Sequence, residues 1–320
     1  MPDVSIVIAC WNAEAFLPTA ISTALGQTGV NVEVLVCDDA STDGTARLMA
    51  SYDDPRIRSL RLPVNRGPAG ARNAGFAAAK GSWILVLDAD DVMEPGRAAE
   101  LIQLAKKHDA DIVADNFWIE SAAAPGIRKL HIPEVLDGSV ERMGLADYAA
   151  ANILFGSRPA FGYLKPIFRR AFLEGARLCY DESLRVGEDF ALVAEGIARG
   201  ARFVRSRTAG YVYVTHSGSI SHRLKLRDLH QMISFDKRFL GAHLELGGSE
   251  RAAFEAHLHA LERGEAFTMM VEHLKNRSVG SFLKTALQHP SALGLLSMPI
   301  KARLARLAAK VSPARLAKGV

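Results

Sequence analysis

Cysteine is scarce in this chain: three in 320 residues, Cys10, Cys37 and Cys179, far apart and in no CxxC spacing. An odd, dispersed set gives neither a disulfide framework nor a zinc or dithiol redox site, so reduced thiols in the core are expected. No stretch approaches the ~18 consecutive apolar residues of a membrane span, and no basic start leads into an apolar run and a small-residue cleavage site. A cytoplasmic location is the expectation. Acidic residues are missing after Glu272, while Lys275, Arg277, Lys284, Lys301, Arg303, Arg306, Lys310, Arg315 and Lys318 follow it. The whole chain is only +4, so with these cations set aside the body is net negative. That leaves no warrant for a nucleic-acid groove across it. Internal repeats and low-complexity segments are also absent. What is present is hydrophobic material, 49% of residues, enough for a large core or two smaller ones.

Over the first hundred residues short apolar runs alternate with amphipathic ones. Val4 to Ala9 precedes Phe16 to Leu25, and Val32 to Cys37 precedes Thr45 to Ala50. Ile57 to Leu62 then precedes Ala69 to Ala79, and Trp83 to Leu87 precedes Ala98 to Ala105. Runs of Val, Ile and Leu without polar alternation are strands buried on both faces, so the pattern predicts βα units and a helix-covered parallel sheet. Ligands then bind beyond the carboxyl ends of the strands. From Lys106 to His222 the pattern is less regular: a strand at Ile112 to Phe117, a polar Pro/Gly stretch from Ser121 to Gly138, then mixed short elements of the same sheet. From about Leu224 the pattern is helical, broken at Gly247-Gly248, Pro290, Pro299 and Pro313.

Polar clusters sit at the predicted strand ends. The first strand leads into Ala9-Cys10-Trp11-Asn12 and the second into Cys37-Asp38-Asp39-Ala40-Ser41-Thr42-Asp43-Gly44-Thr45. A buried carboxylate at Asp39 is suited to accept the imide N–H of a uracil ring. Ser41 or Asp43 is suited to cap the following helix, which does not account for the two carboxylates before it. Asn65 to Gly75 forms a Gly-rich turn into an Ala-rich helix, with Arg72 in its first turns, where a base or phosphate is already attracted. The fourth strand ends in Leu87-Asp88-Ala89-Asp90-Asp91. If the extended geometry persists, Asp88 and Asp90 project to one side and offer hard oxygens to Mn²⁺ or Mg²⁺.

These four ordered motifs resemble family 2 glycosyltransferases of the GT-A fold, over about residues 3 to 222. The resemblance implies an α/β fold with a mostly parallel central sheet covered by helices, followed here by a C-terminal helical appendix. It implies inverting transfer of a sugar from a nucleotide donor, usually a UDP-sugar. Asp39 and Arg72 would meet the base, Asp88 the ribose or metal, and Asp90 the metal, Mn²⁺ or Mg²⁺; Ala9, Asn12 and Ala89 complete the nucleotide-sugar side. Residues 1–105 would then be the nucleotide-sugar-binding half, 106–222 the acceptor-binding half, and 223–320 the helical region.

In Val186-Gly187-Glu188-Asp189-Phe190 the resemblance makes Asp189 the base that takes the acceptor hydroxyl's proton, beside Glu188. The like-charged neighbour is expected to push the pair's protonation upward. The stretch Tyr211 to Arg223 corresponds to a lid in relatives; either His216 or His222 is a candidate third metal ligand, and Arg223 a phosphate contact. Gly162-Tyr163-Leu164-Lys165-Pro166-Ile167-Phe168-Arg169-Arg170 resembles bacterial exopolysaccharide transferases, which implies a glycan acceptor on a lipid carrier.

The tail repeats apolar residues at helical spacing, Ile300, Leu304, Leu307 and Val311, with Lys301, Arg303, Arg306 and Lys310 on other faces. Such a helix is expected to lie peripherally on the inner membrane. A sugar-nucleotide nucleotidyltransferase would need a Gly-rich, cationic phosphate loop where Ala9-Cys10-Trp11-Asn12-Ala13-Glu14 stands. A non-catalytic relative would have damaged carboxylates, and these are intact.

Overall fold

The computed structural model describes residues 1–216 and 224–297. Strands and helices alternate first: β1 (Val4–Cys10), α1 (Leu17–Leu25), β2 (Val32–Asp38), α2 (Thr45–Ala50), β3 (Ile57–Arg61), α3 (Gly67–Ala78) and β4 (Trp83–Asp88). Then come β5 (Val92–Met93), α4 (Arg97–Lys107), β6 (Ile112–Ser121), β7 (Ala124–Leu130), β8 (Val140–Met143) and α5 (Leu145–Ala150). They are followed by β9 (Ile167–Arg169), α6 (Arg170–Gly175), α7 (Glu188–Ala198) and β10 (Phe203–Thr215). Three α-helices follow, α8 (Leu226–Ala242), α9 (Gly248–Lys275) and α10 (Val279–Gln288), and a 3-10 helix, Pro290–Leu296, closes the described chain.

All of β2 is buried, as are all residues of β1 but Ala9 and all of β4 but Asp88. Cover on both faces is what their unbroken apolar sequences require. One 10-stranded sheet runs in the order β3-β2-β1-β4-β9-β6-β10-β5, with β7 on β6 and β8 on β10. Its first four strands are parallel; beyond β4 the sheet is mixed, with β9 antiparallel to both β4 and β6. The polar stretch after Ser121 is not wholly loop: β7 folds back on β6, pairing Trp118 with Leu130. Its side chains are mostly exposed, so it carries no apolar pattern by which to find it.

Two glycines hold the site's scaffold. A Cβ on Gly75 would strike Val7 and Cys37, so its absence lets α3 lie against β1 and β2. Gly187 takes φ +84° just before α7, the left-handed conformation that glycine tolerates, and thereby sets Glu188 and Asp189 in that helix's first turn. Cys10 and Cys37 are buried thiols, and burial pushes Cys37 up to about 12. Cys179 departs from the expectation of a core thiol: it is exposed, in the connection before α7.

The helical region is fastened to the body at α7. His257 of α9 and Asp236 of α8 form a buried pair at 2.7 Å, and the His257 ring stacks on Phe190 with centroids 4.4 Å apart. No helix among the described residues is long and apolar enough to cross a membrane. His222, Arg223 and the apolar stripe from Ile300 to Val311 lie outside the described residues.

Candidate active site

The polar clusters at the ends of β1, β2 and β4 converge, and α7 brings Glu188 and Asp189 to them. Arg72 is 4% exposed on α3. It donates to Asp88 at 2.6 Å, Glu188 at 2.7 Å and Asp189 at 3.4 Å, and lies 5.3 Å from the centroid of the Tyr180 ring. The sequence placed this arginine against a base or phosphate. A buried guanidinium must be paired, and its planar fork here joins acids from the end of β4 and from α7.

Lys165, given no role by its sequence context, completes the cluster. Its ammonium is 2.7 Å from Asp189 and 3.0 Å from Asp88. Burial alone would raise Asp88, but Lys165 and Arg72 outweigh it and hold the carboxyl well below the usual range. Asp189 is likewise lowered: burial opposes, while Arg72 and Lys165 prevail. Glu188 is raised by burial and by the charge of Asp189. The upward push expected for the acid pair therefore falls on Glu188 alone, because Asp189 has two cations in contact. Tyr180 adds a hydroxyl donor to Asp189 at 3.0 Å.

Asp88 and Asp90 part company after the strand. The extended backbone ends at Asp88, and the amide of Asp91 returns to the Asp88 carbonyl at 3.1 Å in a turn. Asp88 faces the two cations, whereas Asp90 lies 2.8 Å from Nε2 of His216, whose ring stacks on Phe16 with centroids 4.6 Å apart. Asp91 is buried beneath them. It accepts the Tyr211 hydroxyl at 2.6 Å and the Val214 amide at 2.8 Å, and Tyr211 in turn accepts the Asp88 amide at 3.2 Å. Burial, then the charges of Asp88 and Asp90, push Asp91 well up.

Among the described residues no three His, Cys, Asp or Glu side chains gather as a metal site of protein ligands alone. Asp90 and His216 nonetheless fit a divalent ion that takes its other ligands from phosphate and water. Their oxygen and nitrogen, 2.8 Å apart, are close to the spacing of adjacent ligands about an octahedral ion with bonds of roughly 2.1 Å. Asp88, with its oxygens on Arg72 and Lys165, is not placed as a second carboxylate ligand.

Of the residues expected to line the nucleotide, Ala9 pairs in register with Asp88, and Ala89 is buried in the turn that follows. Asn12 takes φ +50°, and its side-chain oxygen accepts the Thr42 amide at 2.8 Å, tying the β1 loop to the β2 loop. Asp39 accepts the backbone amides of Arg66 at 2.7 Å and Gly67 at 2.8 Å, so it anchors the start of α3. Asp43, one residue before the N-cap Gly44, accepts the Thr45 amide at 2.9 Å at the start of α2. The anchoring by Asp39 spans 27 residues to Arg66, and nothing local announces it.

Residues 5–172 match Glycosyl transferase family 2, more than half of the chain. The succinoglycan biosynthesis protein ExoO of Rhizobium meliloti (strain 1021) is 43% identical over 310 residues, covering 97% of this chain and 88% of that protein. The succinoglycan biosynthesis protein ExoU of the same organism is 34% identical over 333 residues, 99% of this chain and 92% of that one. In Escherichia coli, the UDP-Glc:alpha-D-GlcNAc-diphosphoundecaprenol beta-1,3-glucosyltransferase WfaP is 26% identical over 221 residues, 69% of this chain and 80% of that one. In shape, the crystal structure of S. aureus TarS 1-349 in complex with UDP-GlcNAc superposes with TM-score 0.62 at 16% identity, covering 90% of this chain and 92% of that one. The fold is therefore GT-A, a nucleotide-sugar transferase architecture. The chain belongs to glycosyltransferase family 2, and it is a glycosyltransferase.

Proposed function

We propose that this enzyme transfers a sugar from a UDP-sugar to a hydroxyl of a lipid-linked glycan, with inversion, in exopolysaccharide synthesis. The observation that carries the reading is the cluster in which Arg72 and Lys165 join Asp88, at a strand end, to Asp189, on α7. The donor-side and acceptor-side acids thus share one charge network.

The chemistry is a single displacement. Asp189 takes the proton of the acceptor hydroxyl as that oxygen bonds to the anomeric carbon, and the bond from that carbon to the UDP oxygen breaks. Its lowered pKa keeps Asp189 ionised, in the base form, at neutral pH. Glu188 and Tyr180 hold Arg72 and Asp189 in place. Asp39 orders the start of α3, the helix that carries Arg72, and Asp88 faces the ribose. Asp90 and His216 would hold Mn²⁺ or Mg²⁺, which when bound supplies positive charge to the departing diphosphate.

The relatives' names support the substrate class: succinoglycan biosynthesis for ExoO and ExoU, UDP-Glc and a diphosphoundecaprenol acceptor for WfaP, UDP-GlcNAc in the TarS complex. A lipid-linked acceptor fits an enzyme working at the cytoplasmic face of the inner membrane, with the basic tail as one contact. The test is a panel of nucleotide sugars with and without Mn²⁺, following thermal stabilisation and slow release of UDP. A ligand at a hundred times its Kd should stabilise the fold by about 2.7 kcal/mol. No stabilisation and no UDP release from any UDP-sugar would reject the donor class.

A further inference from the structure

We infer that α10 is a membrane-docking element whose outward apolar face inserts into an anionic lipid surface. On this helix Val279, Leu283 and Leu287 follow one another at intervals of four residues and so lie in one row. They are 65%, 54% and 83% exposed. The rest of the helix is already used: Thr285, across from the row, and Ala286, beside it, are buried, and Phe282 packs against the cluster around Met270. Leu274 and Leu293, on either side of the helix in sequence, are also exposed. A folded helix thus hides a few small and aromatic side chains and presents its largest aliphatic ones to solvent, the reverse of an ordinary surface helix.

Charge identifies the occupant. In sequence, Lys275 and Arg277 precede the row and Lys284 falls within it, and no acidic residue follows Glu272. A second copy of the chain docked through this face would set these cations against their own images. The chain's own tail carries Lys301, Arg303, Arg306, Lys310, Arg315 and Lys318 and no acid, so it offers these cations no counter-charge. The row also has no Trp, Tyr or Arg at its centre, the side chains that anchor protein interfaces. Aliphatic residues bordered by lysine and arginine match a bilayer with anionic headgroups, which takes leucines among its acyl chains and the cations among its phosphates. This deepens the membrane part of the proposed function and rests on it for the choice of surface. It is separate from the tail, since α10 belongs to the packed body.

The experiment is co-sedimentation of the full chain with vesicles of phosphatidylcholine alone and of phosphatidylcholine with phosphatidylglycerol. The wild-type chain should bind the anionic vesicles and not the neutral ones. Leu283→Ser/Leu287→Ser should weaken that binding by at least ~10-fold, in line with the burial of aliphatic surface it removes. Leu287→Trp should gain fluorescence that brominated phosphatidylglycerol quenches. Both residues are exposed, and an unchanged melting temperature checks the fold. Equal binding by the double serine variant, equal binding to neutral vesicles, or a dimer in lipid-free solution that the double variant splits would each overturn the inference. Release of UDP measured without vesicles reports on the transferase reading independently.

Discussion

The ammonium of Lys165 bridges two carboxylates of different segments, 2.7 Å from Asp189 and 3.0 Å from Asp88. Lys165→Met removes a cation that helps hold both acids in their charged form. Their pKa values should rise, so the acid limb of the kcat/KM–pH profile should move to higher pH. A carboxylate with a lowered folded pKa contributes stability that is present above its unfolded pKa and lost as pH falls through the folded value. Because that contribution shrinks in the variant, the loss should be largest near pH 7 and smaller in acid. Removing one partner of a buried pair costs about 3–5 kcal/mol. Urea denaturation at neutral and acid pH measures the difference, and an equal loss at both would contradict this account.

The residues of this cluster were unequally visible in the sequence. Asp39, Asp88 and Asp90 stand at the ends of apolar strands, which periodicity located because β1, β2 and β4 are buried on both faces, while Arg72 and Asp189 stand in motifs at the starts of helices. Lys165, Tyr180 and Tyr211 carry no such signal, since their partners lie 24, 9 and 120 residues away and only the folded sheet brings them together. The separation of Asp88 from Asp90 was hidden too. It depends on where β4 stops pairing, a property of its neighbours rather than of its own composition. The same holds for β7, whose exposed side chains follow no apolar rhythm.

Asp189→Asn should lower transfer by about 10²–10⁴-fold, the range for losing a general base. UDP affinity should stay within a few fold, because the amide keeps the shape and an acceptor for Lys165. Glu188→Gln should cost much less, since this acid touches Arg72 and its own proton is already held more tightly than usual. Single-turnover rates beside UDP titrations separate the two effects. Near-normal transfer by Asp189→Asn would remove it as the base.

Asp90→Asn and His216→Ala act on the pair at 2.8 Å. Both should abolish the gain in UDP affinity that Mn²⁺ provides while leaving metal-free affinity nearly unchanged. Asp88→Asn should differ, weakening nucleotide binding with and without the ion, because its contacts are Arg72 and Lys165. Calorimetric titration with UDP in Mn²⁺ and in EDTA reads this contrast. An identical pattern for Asp88 and Asp90 variants would merge their roles.

Arg97 tests whether the lysine bridge is held from behind. This side chain, on α4, is 2% exposed and pairs with Asp115 of β6 at 2.7 Å. It also donates to the backbone carbonyl of Lys165 at 2.5 Å and lies 5.1 Å from the centroid of the Tyr211 ring. Arg97→Met leaves Asp115 buried with only the Gly210 amide, and should cost about 3–5 kcal/mol. Arg97→Met/Asp115→Leu removes both charges and should recover most of that stability, since an apolar pair needs no counter-ion. Catalysis should not recover with it, because the Lys165 carbonyl still lacks its donor and the ammonium no longer has a fixed distance to Asp189. A double variant restored in both stability and transfer rate would show that the Lys165 backbone needs no such support.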